Sequence, residues 1–121
     1  MPRNMSFMLT TQQIVDQTKT VTRRLGWDFL KPGDVLNACQ QCQGMRKGHK
    51  IVRLGQIRVI STAWEPLRNI TYEECVREGF PDMAPEDFVT FFCEHNNCAP
   101  NTYVNRIAFE YCKPKCDIIR S

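Results

Sequence analysis

Gln17-Thr18-Lys19-Thr20-Val21-Thr22-Arg23-Arg24 is where the chain changes from helical to extended grammar. Upstream, Leu9-Thr10-Thr11-Gln12-Gln13-Ile14 reads as a helix start. Thr10 and Gln13 have capping-box spacing, and Leu9 and Ile14 stand where a hydrophobic staple would close. The β-branched residues from Thr18 to Thr22 stiffen χ1 and favour extended backbone, so the spacing predicts a helix over 10–18 and a strand after it. Downstream, Lys31-Pro32-Gly33-Asp34 predicts a tight turn. Val35-Leu36-Asn37-Ala38-Cys39 reads as a strand, and Ile51 to Trp64 as a long one with Gly55 at a bulge or bend. Ile70 to Cys75 repeats the helix-start pattern, with Thr71 as cap and Glu74 closing the box. Gly79 stops that helix after Glu78. Pro85 opens a helix to about residue 95, whose Phe88, Val89, Phe92 and Cys93 form an apolar face. Tyr103 to Tyr111 reads as the last strand.

The order is strand, helix, strands, two helices, strand. Strands are not regularly separated by crossover helices, which argues against a doubly wound parallel sheet. The expected class is α+β, a small mixed β-barrel capped by short helices. At 121 residues, with 42% hydrophobic and 24% charged residues, the chain suits one globular domain. No apolar run approaches a membrane span, and the N-terminus lacks the apolar region of a secretory signal. The expectation is a cytoplasmic monomer without membrane contact.

Charge is segregated along the chain. Residues 19–58 hold nine basic residues against Asp28 and Asp34, a net +7; residues 65–94 hold eight acids against Arg68 and Arg77, a net −6. A basic segment favours an anionic partner, most simply RNA or a nucleotide, with Arg23, Arg24, Arg46, Lys47 and Lys50 as candidate contacts. The alternative is that the two segments attract each other. Seven cysteines are an odd number with no secretory context, so they read as thiols or metal ligands. Cys39 and Cys42 have zinc-knuckle spacing, and Cys112 and Cys116 can supply a second pair for a structural zinc. Cys93, His95 and Cys98 are a further cluster. No other cofactor is called for.

The segment Gln17 to Arg24 resembles the signature of the ASCH domain family, relatives of the PUA-like RNA-binding barrels: a lysine, two threonines and an arginine just after the first helix. Lys31-Pro32-Gly33-Asp34, Arg77-Glu78-Gly79-Phe80 and Asn105 to Tyr111 are similar to that family's later motifs. The resemblance spans about Ser6 to Tyr111, which makes 1–111 the domain and 112–121 a Cys/Lys-containing tail. It implies a PUA-like barrel that acts on or binds RNA or nucleosides. One branch, small amidohydrolases of N4-acetylcytidine, looks especially close, and its catalytic set carries over as Lys19, Thr22 and Glu78. A non-catalytic RNA- or nucleotide-binding module and a small ribonuclease are the alternatives.

A threonine hydroxyl needs a base, and a lysine serves only if burial or positive neighbours lower its pKa; Arg23 and Arg24 are placed to contribute. Glu78, closing its helix, supplies a carboxylate for acid/base work or for a cytosine amide. Residues three apart on a regular strand face opposite ways, so Lys19 and Thr22 cooperate only if the chain bends between them. Otherwise Thr20, or a direct Lys19–Glu78 pair, is the better candidate. The plain alternative makes Lys19 a solvated lysine, the threonines strand formers and Glu78 an exposed helix residue.

Overall fold

The computed structural model describes residues 2–40 and 51–112. The elements are β1 (Arg3–Ser6), α1 (Thr11–Val15) after a 3-10 turn at Met8–Thr10, β2 (Val21–Arg24), β3 (Val35–Cys39), β4 (Arg53–Pro66), α2 (Tyr72–Arg77), α3 (Pro85–Asn96) and β5 (Tyr103–Tyr111). The five strands form one mixed sheet in the order β1-β3-β4-β5-β2. Only β1–β3 is parallel.

The sheet curls into a half-barrel, and two bulges on the long β4 help bend it. Ala38 pairs with Gly55 and Cys39 with Arg53, so Leu54 is the extra residue. Val59 pairs with Phe109 and Ser61 with Ala108, so Ile60 is skipped. Each extra residue increases local twist. The curl brings together the two outermost strands: the Arg24 guanidinium at the end of β2 donates to the Ser6 carbonyl at the end of β1 at 2.7 Å. The same guanidinium lies 4.8 Å from the Phe7 ring centroid.

Two apolar clusters follow from the strand alternation. On β5, Ile107 and Phe109 face the barrel interior with Met5, Phe7, Leu36, Ile57 and Val59. Val104, of opposite parity, packs instead with Leu67, Cys75, Phe88 and Phe92 beneath the helices. β2 is two-sided in the same way. Thr22 is paired with Ile107 and Arg23 with Arg106, and directly paired residues share a face. Thr22 therefore belongs to the interior face, and Arg23 to the face toward α2.

The helix signals held unevenly. The Thr71 hydroxyl accepts from the Glu74 amide, and Ile70 and Cys75 are buried together. Gly79 sits at φ 99°. Its amide bonds to Val76 and that of Phe80 to Cys75, a Schellman ending. The expected turn at Lys31–Asp34 closes through the Asp34 carboxylate on the Lys31 amide, 2.9 Å. At the first helix the box fails. Thr10 makes no side-chain cap bond; Thr11 instead donates to the Phe7 carbonyl at 3.0 Å. Leu9 is exposed whereas Ile14 is buried, because the preceding 3-10 turn changes the entry angle. The helix runs only to Val15, ending short of the expected 18.

Candidate functional site

Lys19 lies just before β2, in a stretch fixed by backbone bonds. Its amide donates to Gln13, and the Thr20 amide donates to Arg77 at the end of α2. The side chain therefore turns under the C-terminal end of α2. Its ammonium donates to the Glu78 carboxylate at 2.7 Å and to the Glu78 carbonyl at 2.8 Å. The Schellman ending frees that carbonyl to point at the lysine. Lys19, Thr22 and Glu78 are each 3% exposed, which removes the reading of solvated surface residues. Thr20 is exposed. The bend falls before the strand, so Lys19 and Thr22 line one cavity despite their three-residue spacing.

That cavity has a volume of about 270 Å³. Its polar floor is Lys19, Thr22, Arg23, Arg24 and Glu78; Phe88, Phe91, Phe92 and His95 of α3 make one wall. Phe91 and His95 meet edge-on at 4.6 Å. The Thr22 hydroxyl accepts from Arg24 Nε at 3.0 Å, which leaves its hydroxyl hydrogen available.

Arg23 holds the floor. Its side chain is fully buried and reaches Glu78 at 3.1 Å, Glu65 at 3.0 Å and Glu74 at 2.8 Å. Arg23 is a candidate substrate contact, but its terminal nitrogens are committed to these carboxylates, and among the described residues its buried Nε has no partner. Glu74 also receives Arg77 at 2.7 Å and Arg106. Arg23 and Arg106 face each other across the β2–β5 pair, where two like charges would repel without Glu74 between them. The segregated charge of the sequence thus closes on itself here: Lys19 and Arg23 from the basic segment bind Glu65, Glu74 and Glu78 from the acidic one.

The electrostatics follow from this burial. Burial lowers the Lys19 pKa; Glu78 opposes the shift, and the positive charges of Arg24 and Arg23 add to it. Burial works against the Arg23 charge, but Glu78, Glu74 and Glu65 together hold it above its usual range. Bonding from Arg106, with Arg77 and Arg23, holds Glu74 far below the usual carboxylate range against its partial burial.

From the sequence Glu74 reads only as part of a capping box, and Glu65 and Arg106 carry no local signal. A signal exists for one of them: Glu74, in the first turn of α2, and Glu78, at its C-cap, are four apart, which puts both carboxylates on one face of the helix. Arg46, Lys47, Lys50, Cys42 and Cys116 lie outside the described residues, as does the tail beyond Cys112. Cys39 is on β3 and Cys112 just past β5. With β4 between them, two strand spacings, roughly 10 Å, separate their strands. Among the described residues no three metal-ligating side chains converge. The described residues include no helix long and apolar enough to cross a membrane, which says nothing of a β-barrel.

No family model and no curated protein matches the chain. Among solved structures it is similar in fold to the crystal structure of protein EF3133 from Enterococcus faecalis V583, described as DUF984. The identity is 19% and the TM-score 0.65, over 92% of this chain and 80% of that one. At that identity the likeness concerns the fold: a small α+β domain with a curled sheet.

Proposed function

We propose that this is an ASCH-like, PUA-related domain that hydrolyses an acylated pyrimidine nucleoside of the N4-acetylcytidine type. The observation that carries this reading is the burial of Lys19 beside Glu78 on the floor of the cavity that Thr22 also lines. The burial that lowers the Lys19 pKa increases its neutral fraction, and only the neutral amine is a base. In the proposed reaction the neutral amine takes the Thr22 proton as the hydroxyl oxygen attacks the acetyl carbonyl. Lys19 then returns that proton to the departing cytosine nitrogen, and water releases acetate from Thr22. In this reaction Arg24, bonded to Thr22, supplies positive charge for the developing oxyanion. The aromatic wall suits a flat heterocycle.

The test is conversion of N4-acetylcytidine to cytidine and acetate. Thr22→Ala should lose turnover while remaining folded; Lys19→Ala should lose turnover too, at a cost in stability because Glu78 then keeps only Arg23 as its charged partner. Lys19→Arg should not restore it, because arginine stays protonated. Activity should rise with pH through a pKa below the ordinary 10.5 of lysine. A double variant of Lys19 and Thr22 as fast as wild type would falsify the proposal.

A second reading is favoured by the short Lys19–Glu78 contact, which stabilises the ammonium rather than the amine. On that reading the domain binds a nucleoside, nucleotide or RNA without chemistry. An inactive wild type that still binds cytidine nucleotides, more weakly as salt rises, would select it.

A further inference from the structure

Helix α3 ends at Asn97, which adopts the left-handed conformation at φ 52°. The Cys98 amide then turns back to the Cys93 carbonyl at 3.3 Å. This is the six-to-one bond of a Schellman ending, which commonly carries an apolar contact between the same two positions. Here both positions are cysteines, and their sulfurs lie 4.0 Å apart. Both residues are partly exposed. His95 and Asn96, which line the cavity, lie between them.

We propose that Cys93 and Cys98 are a modification site: a dithiol that a hydroperoxide converts to an intramolecular disulfide, locking the end of the helix that walls the cavity. The hydroperoxide oxidises one thiol to a sulfenic acid and is reduced to an alcohol, or to water in the case of hydrogen peroxide. The second thiol attacks that sulfur, the S–S bond forms, and water leaves. Overall two thiols and one hydroperoxide give one disulfide, one alcohol and one water. The backbone already fixes the two sulfurs as neighbours, so this pairing has a high effective concentration and needs only a small closure. Burial, with the neighbouring Cys98, pushes the Cys93 thiol up, so the nearness of the second sulfur, and not an unusually reactive thiolate, is what favours this bridge. The site is independent of what the cavity binds.

The experiment treats the full chain with substoichiometric hydrogen peroxide, blocks remaining thiols by alkylation and maps the bridges by mass spectrometry without reduction. The expected product is a Cys93–Cys98 bridge, formed at least about tenfold faster than any other pair among the seven cysteines. Cys93→Ser and Cys98→Ser should each abolish it while leaving the protein folded. Amide exchange across residues 95–98 should slow at least about tenfold on oxidation and recover with dithiothreitol. Bridges scattered over other pairs, or Cys93 and Cys98 remaining alkylatable after other thiols are consumed, would overturn the site. Unchanged exchange in the bridged protein would overturn the locking.

Discussion

The floor of the cavity and the interior of the half-barrel are equally buried and are held in opposite ways. Inside the barrel, Phe7, Leu36, Ile57, Ile107 and Phe109 are almost fully buried, and their contribution follows the apolar area removed from water. Under α2, Lys19, Arg23 and Glu78 are just as inaccessible, but each charge is tolerable only because its partner is within hydrogen-bond reach. A buried ion pair adds little stability over a well-packed apolar pair, whereas removing one partner is strongly destabilising. The barrel interior therefore accounts for stability. The floor keeps a lysine and a carboxylate dry and in fixed positions, which chemistry or recognition needs.

The sharpest way to break this contrast is Glu78→Ala. It leaves Lys19 and Arg23 short of a partner and should cost about 3–5 kcal/mol in denaturant unfolding. Adding Lys19→Met to Glu78→Leu should recover most of that loss, because the surviving floor then carries one fewer unpaired charge. A double variant as unstable as Glu78→Ala would mean that the lysine pair is a stabilising feature in its own right.

Glu74→Gln tests the same region through pH. The folded pKa of Glu74 is held below its unfolded value of about 4.5 by Arg106, Arg77 and Arg23. Its contribution is thus complete above that value and is lost as pH falls toward the folded pKa. The wild type should lose stability on acidification below about pH 5, and Glu74→Gln should be less stable at neutral pH with a flatter acid limb. Equal acid slopes in the two proteins would remove Glu74 from that role.

Gly79→Ala probes the turn that aims the Glu78 carbonyl. A Cβ at Gly79 would stand 2.7 Å from Gln13 Cγ, at a backbone φ of 99°. The expected loss is about 1–3 kcal/mol in thermal or chemical unfolding. Any effect on the site should follow displacement of α2 rather than loss of a side chain. The smallest effect belongs to the barrel: Ile57→Val removes one methyl from a packed interior and should cost about 1 kcal/mol, with binding or turnover unchanged.

Much of the fold was legible because its signals are local. Val35–Cys39 reads as a strand from side-chain alternation alone and forms one. Thr71 and Gly79 bracket α2 through bonds made within a few residues. Gly55 lies beside a bulge, as a residue without Cβ inside a strand suggests. Thr10 misled because capping depends on how the chain enters the helix, and the 3-10 turn at Met8–Thr10 set that angle. Arg3-Asn4-Met5-Ser6 holds no β-branched or aromatic residue; it is held extended because its backbone pairs in parallel with Leu36 to Cys39.

The candidate site divides along the same line. Residue identity and spacing are enough for the helix-to-strand change after Gln17 and for two carboxylates one turn apart on one face of α2. Tertiary structure alone decided that Lys19 turns beneath that helix end, that Arg23 is shared among three acids, and that α3 supplies an aromatic wall. The first two outcomes depend on contacts between residues 42 to 59 positions apart. No local propensity encodes such contacts, because their geometry exists only once the sheet has curled and brought β2 against α2.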